Sequence, residues 1–516
     1  MTRHRTVVDV LRAAAEKVPD RDAFVEMDRR LSYSGLQAAS GSLARMFSDA
    51  GVGRGDVVAL LLPSSIEYAA CYHGAMRMGA VTSGVNPRLG RSEKASIFER
   101  LGAKLTIVDD RLSAEQVSSL VMGRVIELPE VSAAVFDAAA AGRGTDAQPP
   151  AEDLEPDDYV AIVWTGGSTG VPKGALFDHS RLAAVAAGTD VLSNAGDIRL
   201  SPLPFAHVAF MTRAWDEIEK LTTTVITPTP WSAADALHLM EREKVTVGQG
   251  VPTQWSLILS DAAFAKSDLT ALRVAGTGGS RVPPELARSM RERLGCPVVV
   301  RYTSTETSLG TSTAQDDPDE IVATTVGRPV PGVRLKVAGP DGEALRAGEV
   351  GSVHLGSRAA MIGYVERGTR VSWSPPGEDE APWIDTGDLG WIGEDGNLRL
   401  VGRAVEMVIR GGYNIYPAEV EAVLGRHRSV AQVSVVGAPD PVLGEVVVAF
   451  VVARPGSRPV LDELRTFCKA ELADYKAPDR VRVVDALPLT PIGKVDLREL
   501  KKMAAGPERD PEGARA

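Results

Sequence analysis

The chain of 516 residues is poor in cysteine, and its histidines show no metal-binding spacing. The three cysteines, Cys71, Cys296 and Cys468, lie far apart, which excludes a C-x-x-C metal site and a disulfide framework. None of the seven histidines belongs to an H-E-x-x-H pattern, so that class of zinc enzyme is excluded as well. Unpaired cysteines are typical of a reducing compartment, and we therefore expect a cytoplasmic protein.

The chain also lacks a surplus of positive charge and a long apolar segment. It carries 57 basic and 68 acidic residues, a net charge of −11, which argues against a nucleic-acid or anionic-membrane binder. The longest apolar runs, such as residues 446–453, are far shorter than the roughly 20 residues of a membrane span. Near the N-terminus, apolar residues at helical spacing predict an amphipathic surface helix rather than a signal peptide. We expect no stable membrane insertion.

Short apolar runs alternate with helical patterns in the first part of the chain, which predicts an α/β protein. The continuous apolar run at residues 57–62 predicts a buried parallel strand. Residues 80–83 and 105–108 are candidates for short strands, and residues 159–164 predict another strand. Residues 66–78 are predicted to form a helix. Residues 137–156, rich in Ala, Gly, Pro and acidic residues, are predicted to form a surface loop.

The pattern changes twice toward the C-terminus. Residues 326–401 contain short strands between Gly and Pro turns, which predicts a β-rich subdomain. The segment after Arg403 predicts a small α+β domain, with helices at residues 419–424 and 461–472 and strands at residues 430–436 and 446–452. We therefore predict domains at residues 1–402 and 403–504, followed by a disordered tail at residues 505–516.

Residues 165–174 (TGGSTGVPKG) directly follow one of the predicted strands. Glycines let the backbone turn tightly and present N–H groups to an anion, the hydroxyl groups add donors, and Lys173 adds a positive charge. This chemistry suits a phosphate group, although an ordinary flexible loop has a similar composition. The segment is not a Walker A loop, because Lys173 is followed by glycine rather than by Ser or Thr. Its position after a strand favours phosphate binding.

The same segment resembles the characteristic loop of the adenylate-forming superfamily, which contains acyl-CoA synthetases, peptide-synthetase adenylation domains and luciferases. The other motifs of this family follow in order: residues 202–207 (PLPFAH), 276–280 (GTGGS), 302–306 (YTSTE), 327–332 (GRPVPG), 348–351 (GEVG), 386–389 (TGDL), 402–421 (GRAVEMVIRGGYNIYPAEVE) and 491–495 (PIGKV). The resemblance covers essentially residues 8–502. It implies an acyl-CoA synthetase-like fold, with a large N-terminal adenylation domain and a small mobile C-terminal lid.

The resemblance implies a reaction in two steps with ATP, Mg²⁺ and CoA. A carboxylate attacks the α-phosphate of ATP to give acyl-AMP and pyrophosphate, and a thiol, normally that of CoA, then displaces AMP. No covalent enzyme intermediate is needed, so catalysis consists of positioning and charge stabilisation. By resemblance, Lys494 bridges the carboxylate and the α-phosphate, and Glu306 holds Mg²⁺ together with Thr165. Thr305 acts at the α-phosphate, and His207 gates the ATP channel.

The resemblance also implies the residues that bind the nucleotide. The phosphates are assigned to Thr165, Gly166, Gly167, Ser168, Thr169, Gly170 and Lys173. The adenine side is assigned to Gly278, Gly279, Ser280, Tyr302, Thr303 and Ser304, with Tyr302 stacked on the base. Asp388 and Arg403 are expected to bind the ribose.

Two positions depart from the family pattern. The hinge residue of the family is usually Asp or Lys, whereas this chain has Val405, a stiffer β-branched residue. Thr303 stands where the family commonly has Gly. Arg410, Gly411 and Gly412, which resemble the segment along the CoA pantetheine tunnel, are present. One interpretation of both departures is neutral drift. The alternative, based on Val405, is an enzyme that adenylates well but transfers to CoA slowly, or hands acyl-AMP to a partner.

The acyl pocket is expected by resemblance among His207, Ala209, Phe210, Arg213, Trp215, Gly248 and Gly250, with Gly278 and Ser304. Residues 204–210 (PFAHVAF) contain no acid that could hold an amino-acid ammonium, although Asp216 lies downstream. We therefore favour a bulky hydrophobic carboxylic acid over an amino acid. The alternative for the small residues is that they allow close helix packing.

The resemblance leaves four classes of function. The first is an acyl-CoA ligase, and the second is an acyl-adenylating enzyme that passes acyl-AMP to a carrier protein or partner ligase. A luciferase-type monooxygenase lacks a recognisable oxidative motif. A catalytically inactive binding protein conflicts with the intact Lys173, Glu306, Asp388 and Lys494. We expect a monomer or a homodimer.

Overall fold

A computed structural model of the chain describes residues 5–109, 111, 120–121, 123–141, 153–165, 172–374, 381–403, 406–411, 413–490 and 493–506. Within these residues, helices flank four β-sheets. The α-helices span Val7–Lys17, Tyr33–Asp49, Ile66–Arg77, Arg91–Leu101, Leu128–Ala141, His179–Ala187, Val208–Met211, Ala214–Glu219, Ala233–Arg242, Pro252–Ser260, Pro284–Leu294, Asp319–Thr324, Pro417–Leu424, Leu461–Lys469 and Leu497–Ala505. Short 3₁₀ helices span Phe264–Lys266 and Asp474–Lys476. The predicted α/β class is confirmed.

The first sheet has a parallel centre and antiparallel edges. Its strands lie in the order Arg328–Pro329, Thr311–Ser312, Val298–Tyr302, Val274–Gly278, Val247–Gly250, Ile198–Ser201, Thr223–Ile226, Asp22–Glu26 and Arg29–Ser32. The six strands from Val298–Tyr302 to Asp22–Glu26 pair in parallel. Their carboxyl ends therefore meet at one edge, which is where open α/β sheets bind ligands.

The second sheet contains the two strands that flank the Gly-rich segment. Its strands lie in the order Arg370–Trp373, Gly363–Arg367, Lys173–Asp178, Tyr159–Thr165, Val81–Gly84, Val57–Leu61, Leu105–Val108 and Arg124–Glu127. Val57–Leu61 is buried at every residue, as expected for a parallel strand covered on both faces. The predicted strand Leu105–Val108 has the predicted bounds.

The third sheet is antiparallel and confirms the β-rich subdomain. Its strands lie in the order Val333–Ala338, Gly351–Ser357, Trp383–Ile392 and Leu398–Arg403. The fourth sheet contains Tyr413–Ile415, Val408–Arg410, Gly444–Ala453 and Val430–Asp440, with Arg480–Val483 paired to Gly444–Ala453. It has its own hydrophobic core, which includes Val435, Val447 and Leu464.

Two predictions about irregular segments are corrected. The predicted loop at residues 137–156 begins inside the helix Leu128–Ala141, because this Ala-rich segment continues a helix that buries Val131 and Val135 completely. Residues 142–152 of that loop lie outside the described residues. The predicted tail at residues 505–516 includes Ala505, the last residue of the helix Leu497–Ala505, and residues 507–516 lie outside the described residues.

Candidate active site

The predicted adenine-side residues lie at the carboxyl edge of the first sheet. Gly278 ends its strand directly opposite Arg301, and Tyr302 ends the neighbouring strand. At Gly278 an added Cβ atom would lie 2.2 Å from the carbonyl oxygen of Arg301, so only glycine fits this close approach of two strands. Gly279 follows with a φ of +74°, a conformation that favours glycine. The GTGGS motif thus turns the chain sharply at the edge of the site.

The Gly-rich segment connects two antiparallel strands of the second sheet. Thr165 and Lys173 are directly paired across Tyr159–Thr165 and Lys173–Asp178, so the segment between them is the connection of a hairpin. Gly166, Gly167, Ser168, Thr169 and Gly170 lie outside the described residues. The Lys173 ammonium lies 5.1 Å from the ring centre of Tyr364, a favourable cation–π distance.

Glu306 is positioned by two contacts from a distant segment. The Tyr364 hydroxyl donates to Glu306 Oε1 at 2.6 Å, and the Met361 N–H donates to the Glu306 carbonyl oxygen at 2.8 Å. Burial, together with the Glu306 charge, raises the pKa of Tyr364 above its ordinary value, so Tyr364 remains a donor. Sequence reasoning missed Tyr364, whose only visible signal was an aromatic residue within a Gly-flanked segment.

Asp388, Tyr302 and Arg403 form one hydrogen-bonded group. The Tyr302 hydroxyl donates to Asp388 Oδ2 at 2.6 Å, and Arg403 Nε donates to Asp388 Oδ1 at 3.0 Å. Burial and the Asp388 charge raise the pKa of Tyr302. Asp388 and Arg403 lie opposite each other in the third sheet, which explains why TGDL and the motif arginine meet.

Next to Tyr302, a compact turn holds the rest of the YTSTE motif. The Ser304 N–H donates to Thr307 Oγ1 at 3.1 Å, and the Thr307 N–H donates to Ser304 Oγ at 3.2 Å. Thr303 Oγ1 lies 3.3 Å from the Ser304 carbonyl oxygen. The hydroxyl groups of Thr303 and Ser304 are thereby used to shape the turn. Thr305 and Ser280 complete the predicted residues of this edge, and Ser280 is exposed.

Lys494 reaches this edge from the C-terminal part of the chain. A Cβ atom placed on Gly279 would lie 3.7 Å from Lys494 Cε and 3.9 Å from Lys494 Nζ. Burial and the charge of Arg403 lower the pKa of Lys494, whereas Asp388 and Glu306 act in the opposite direction. The structure therefore brings Lys494 together with the two predicted carboxylates. An ion pair between Arg281 and Glu421, at 3.2 Å, also joins the two parts of the chain.

His207 is a neutral helix cap beside Lys494. Its Nδ1 accepts a hydrogen bond from the Ala209 N–H at 3.3 Å, at the start of the helix Val208–Met211. Burial, with the positive charge of Lys494, lowers the pKa of His207 to about 3. His207 is consequently uncharged at physiological pH, which suits a residue that contacts a carboxylate or phosphate without titrating.

The structure places several of the predicted acyl-pocket residues in packed surroundings. Cβ atoms placed on Gly248 and Gly250 would lie 2.8 Å and 3.1 Å from the Trp255 indole, so both glycines make room for Trp255. Phe210 stacks on Phe205 with ring centres 3.6 Å apart, inside the main hydrophobic core. Trp215 is buried in the same core.

Arg213 is also placed differently from the expectation. Its guanidinium donates to both carboxylate oxygens of Asp216, at 2.6 and 2.5 Å, and is buried. Asp216 is therefore neutralised within the fold and does not present a free carboxylate to an ammonium group. Of the predicted pocket residues outside the adenine side, His207 and Ala209 are the ones that remain accessible.

The predicted CoA residues lie in the fourth sheet. Arg410 makes a bidentate ion pair with Asp479, with distances of 2.9 and 2.8 Å. Two of its guanidinium nitrogens are therefore already engaged within the fold. Gly411 has a φ of +57°, and its N–H donates to the Leu443 carbonyl oxygen at 2.8 Å. Gly412 and the predicted hinge Val405 lie outside the described residues.

Comparison with known proteins gives matches along most of the chain. Residues 11–365 match the AMP-binding enzyme family, and residues 419–494 match the AMP-binding enzyme C-terminal domain. The chain is 32% identical over 96% of both chains to the fatty acid–[acyl-carrier-protein] ligase ScoC of Streptomyces coeruleorubidus. It is 33% identical to 3-[(3aS,4S,7aS)-7a-methyl-1,5-dioxo-octahydro-1H-inden-4-yl]propanoyl:CoA ligase of Mycobacterium tuberculosis, over 97% of this chain and 99% of that one.

The solved structures agree as well. ATP-bound MatB from Rhodopseudomonas palustris superposes with a TM-score of 0.86 at 27% identity, over 96% of this chain and 98% of that one. No helix among the described residues is both long and apolar enough to cross a membrane. The chain belongs to the AMP-binding enzyme family, the acyl-CoA synthetases of the adenylate-forming superfamily, and is an AMP-forming acid–thiol ligase.

Proposed function

We propose that this enzyme activates a bulky, largely hydrophobic carboxylic acid as its acyl-AMP and then transfers the acyl group to the thiol of CoA. The observation that carries this proposal is the position of Lys494, whose ammonium lies beside Gly279 within the field of Glu306 and Asp388. An ammonium at this place serves a reaction in which two anions must meet. The carboxylate and the α-phosphate repel each other, and a cation between them lowers that barrier.

The nucleotide would lie along the carboxyl edge of the first sheet. Asp388, held by Tyr302 and Arg403, accepts hydrogen bonds from the ribose hydroxyls. Lys173 and the hairpin connection that begins at Thr165 bind the β- and γ-phosphates. His207 remains neutral beside Lys494 and closes the carboxylate side without adding charge.

Mg²⁺ fits the donors that the site offers. Glu306 has one oxygen engaged by Tyr364, and its other oxygen has no hydrogen-bond partner among the described residues. A single carboxylate with a threonine hydroxyl and substrate phosphates is the kind of oxygen set that Mg²⁺ uses. We assign Glu306 and Thr165 to this ion, which would neutralise charge on the phosphates.

The choice of acid follows from the relatives. One of them is named for a fatty acid and another for a methyl-dioxo-octahydroindenyl propanoyl group, and both acids have large hydrocarbon bodies. In this chain, Asp216 is paired with Arg213, so an amino-acid ammonium would find no free carboxylate there. Both observations support a hydrophobic acid over an amino acid.

ATP–pyrophosphate exchange across a panel of fatty, aryl-alkanoic and alicyclic acids tests this function. We expect exchange with a subset of these acids and none with amino acids. Exchange that depends on an amino acid would contradict the substrate class. Absence of exchange with every acid, in a folded protein with Mg²⁺ present, would contradict the function.

A carrier-protein thiol is the second candidate acceptor. The ligase from Streptomyces coeruleorubidus, 32% identical, acts on an acyl carrier protein, and Val405 departs from the polar hinge of the family. We propose residues 1–402 as the adenylation domain and residues 403–504 as the domain that moves about this hinge. Measuring pyrophosphate release and acyl-CoA formation with the same acid separates the candidates. Equal rates favour CoA, whereas release without acyl-CoA favours a carrier protein.

A further inference from the structure

A cluster of charged side chains lies between the first sheet and the helix Ala214–Glu219. We call it the arginine cluster, and it consists of Arg199, Arg213, Asp216, Glu217 and Arg301. The first four are 1%, 6%, 0% and 8% exposed. Charged groups are rarely taken out of water unless each one is paired. The pairing within the cluster is therefore informative.

Two of the three arginines have a carboxylate partner. Arg213 is paired with Asp216 at 2.5 Å, and Arg199 is paired with Glu217 at 3.2 Å. Three guanidinium groups against two carboxylates leave one positive charge, and it belongs to Arg301. Arg301 has no salt bridge among the described residues, and its Nε is buried without a hydrogen-bond partner. Burial and the charges of Arg213 and Arg199 lower the pKa of Arg301 to about 9, so it is charged at neutral pH.

The position of Arg301 connects the arginine cluster to the active site. Arg301 directly precedes Tyr302 on the strand Val298–Tyr302, so the two side chains lie on opposite faces of the sheet. Tyr302 faces Asp388 on the nucleotide side. Arg301 is partly exposed, in contrast to Arg199 and Arg213. It is thus the arginine of the cluster that a ligand can reach.

The path of the acid leads to the same place. Its reacting carboxylate must lie near Lys494 and His207, and the rest of the acid must extend away from the phosphates. The chain segment after His207 runs through the helix Val208–Met211 to Arg213, and the strand before Tyr302 contains Arg301. Both segments that border the reacting carboxylate therefore lead into the arginine cluster.

We propose that the acid activated by this enzyme carries a second carboxylate, and that Arg301 binds this carboxylate in the acyl pocket. The inference rests on the proposed function and specifies its substrate. A planar guanidinium binds a carboxylate through two parallel hydrogen bonds, and the bound anion would balance the surplus charge of the cluster. A neutral acyl end would leave the Arg301 guanidinium without a counter-ion. The body of the acid between the two carboxylates can still be hydrophobic.

The test compares dicarboxylic acids of four to ten carbons with monocarboxylic acids of the same length in ATP–pyrophosphate exchange. We expect the wild-type enzyme to prefer a dicarboxylic acid of one length by at least about tenfold in kcat/KM. Arg301→Met should reduce this preference by about tenfold to a hundredfold, because the diacid loses its partner and the monoacid meets an apolar surface. Arg301→Lys keeps the positive charge but cannot form two parallel hydrogen bonds with a carboxylate. This variant should retain part of the preference for the dicarboxylic acid.

Arg288→Met is the matched control, because Arg288 is an exposed arginine on the helix Pro284–Leu294 that pairs with Glu285 and Glu320. This variant should keep the wild-type preference. Equal rates with both kinds of acid in the wild type would overturn the subsite while leaving the proposed function standing. An unchanged preference in a folded Arg301→Met variant would also overturn it. If the methionine variant does not fold, the lysine variant decides. Absence of exchange with every acid would overturn the proposed function as well.

Discussion

Replacing Lys494 by alanine should abolish most of the adenylation activity while leaving the fold intact. The Lys494 ammonium lies beside Gly279 and is, in the proposed function, the cation that bridges the attacking carboxylate and the α-phosphate. The attacking carboxylate and the α-phosphate are both anions. Two unit charges about 4 Å apart at an effective dielectric constant of about 20 interact by about 4 kcal/mol, which is the repulsion that Lys494 offsets. Because each 1.36 kcal/mol or so changes a rate about tenfold, the full effect corresponds to roughly a thousandfold. Partial exposure of Lys494 screens some of this, so we expect a loss of about a hundredfold to a thousandfold.

The assay is pyrophosphate release with saturating ATP and the preferred acid, with thermal unfolding as the measure of fold. Chemically prepared acyl-AMP bypasses the affected step, so the variant should still convert it to the thioester. Lys502→Ala is the matched control, since Lys502 is an exposed lysine near the C-terminus paired with Glu499 at 3.4 Å. If the rate of pyrophosphate release in Lys494→Ala falls by less than about tenfold, with an unchanged melting temperature, Lys494 does not offset the repulsion between the two anions.

Three further outcomes follow from contacts in the structure. Tyr364→Phe keeps the ring beside Lys173 but removes the hydrogen bond to Glu306, and should raise the Mg²⁺ concentration for half-maximal activity about tenfold; an unchanged Mg²⁺ dependence would argue against Tyr364 as a positioning residue. Asp216→Asn leaves the Arg213 guanidinium unpaired and should lower the free energy of unfolding in urea by about 3 kcal/mol, whereas a change below about 1 kcal/mol would contradict the pairing. Burial lowers the pKa of Lys494, so kcat/KM should be full below that pKa and fall as the ammonium deprotonates above it; a profile that stays flat to about pH 10.4 would contradict this.

The sequence was most informative where a local pattern determines the outcome. Short apolar runs predicted the strands at 57–62 and 105–108. A strand that is buried on both faces needs apolar side chains along its length. The position of Thr165 and Lys173 on paired strands agrees with the strand-then-loop pattern. The ordered motifs also assigned Asp388 and Arg403 to the same sugar, and the two residues lie directly opposite each other in the third sheet.

The pocket residues were less predictable, because a small residue looks the same whether it faces a ligand or a packed side chain. Gly248 and Gly250 illustrate this point: what decides their role is Trp255, which folds back onto their strand. Tyr364 was missed for a related reason, since it lies 58 residues beyond Glu306 and the two meet only through the fold. Arg213 and Asp216 are three residues apart at the start of a helix, a spacing that indicates an ion pair, whereas the resemblance assigned Arg213 to the acyl pocket.

The ion pair between Arg281 and Glu421 has a consequence for how firmly the C-terminal part of the chain is held against the first sheet. Glu421 is oriented by the Val435 N–H at 2.8 Å, but the Arg281 and Glu421 side chains are 40% and 20% exposed. Such a pair contributes about 1 kcal/mol or less and weakens as dissolved ions screen it. The ion pair therefore stabilises only weakly the arrangement that holds Lys494 in place. If residues 403–504 move between the two half-reactions as proposed, higher ionic strength would weaken this contact without any change at the reacting atoms.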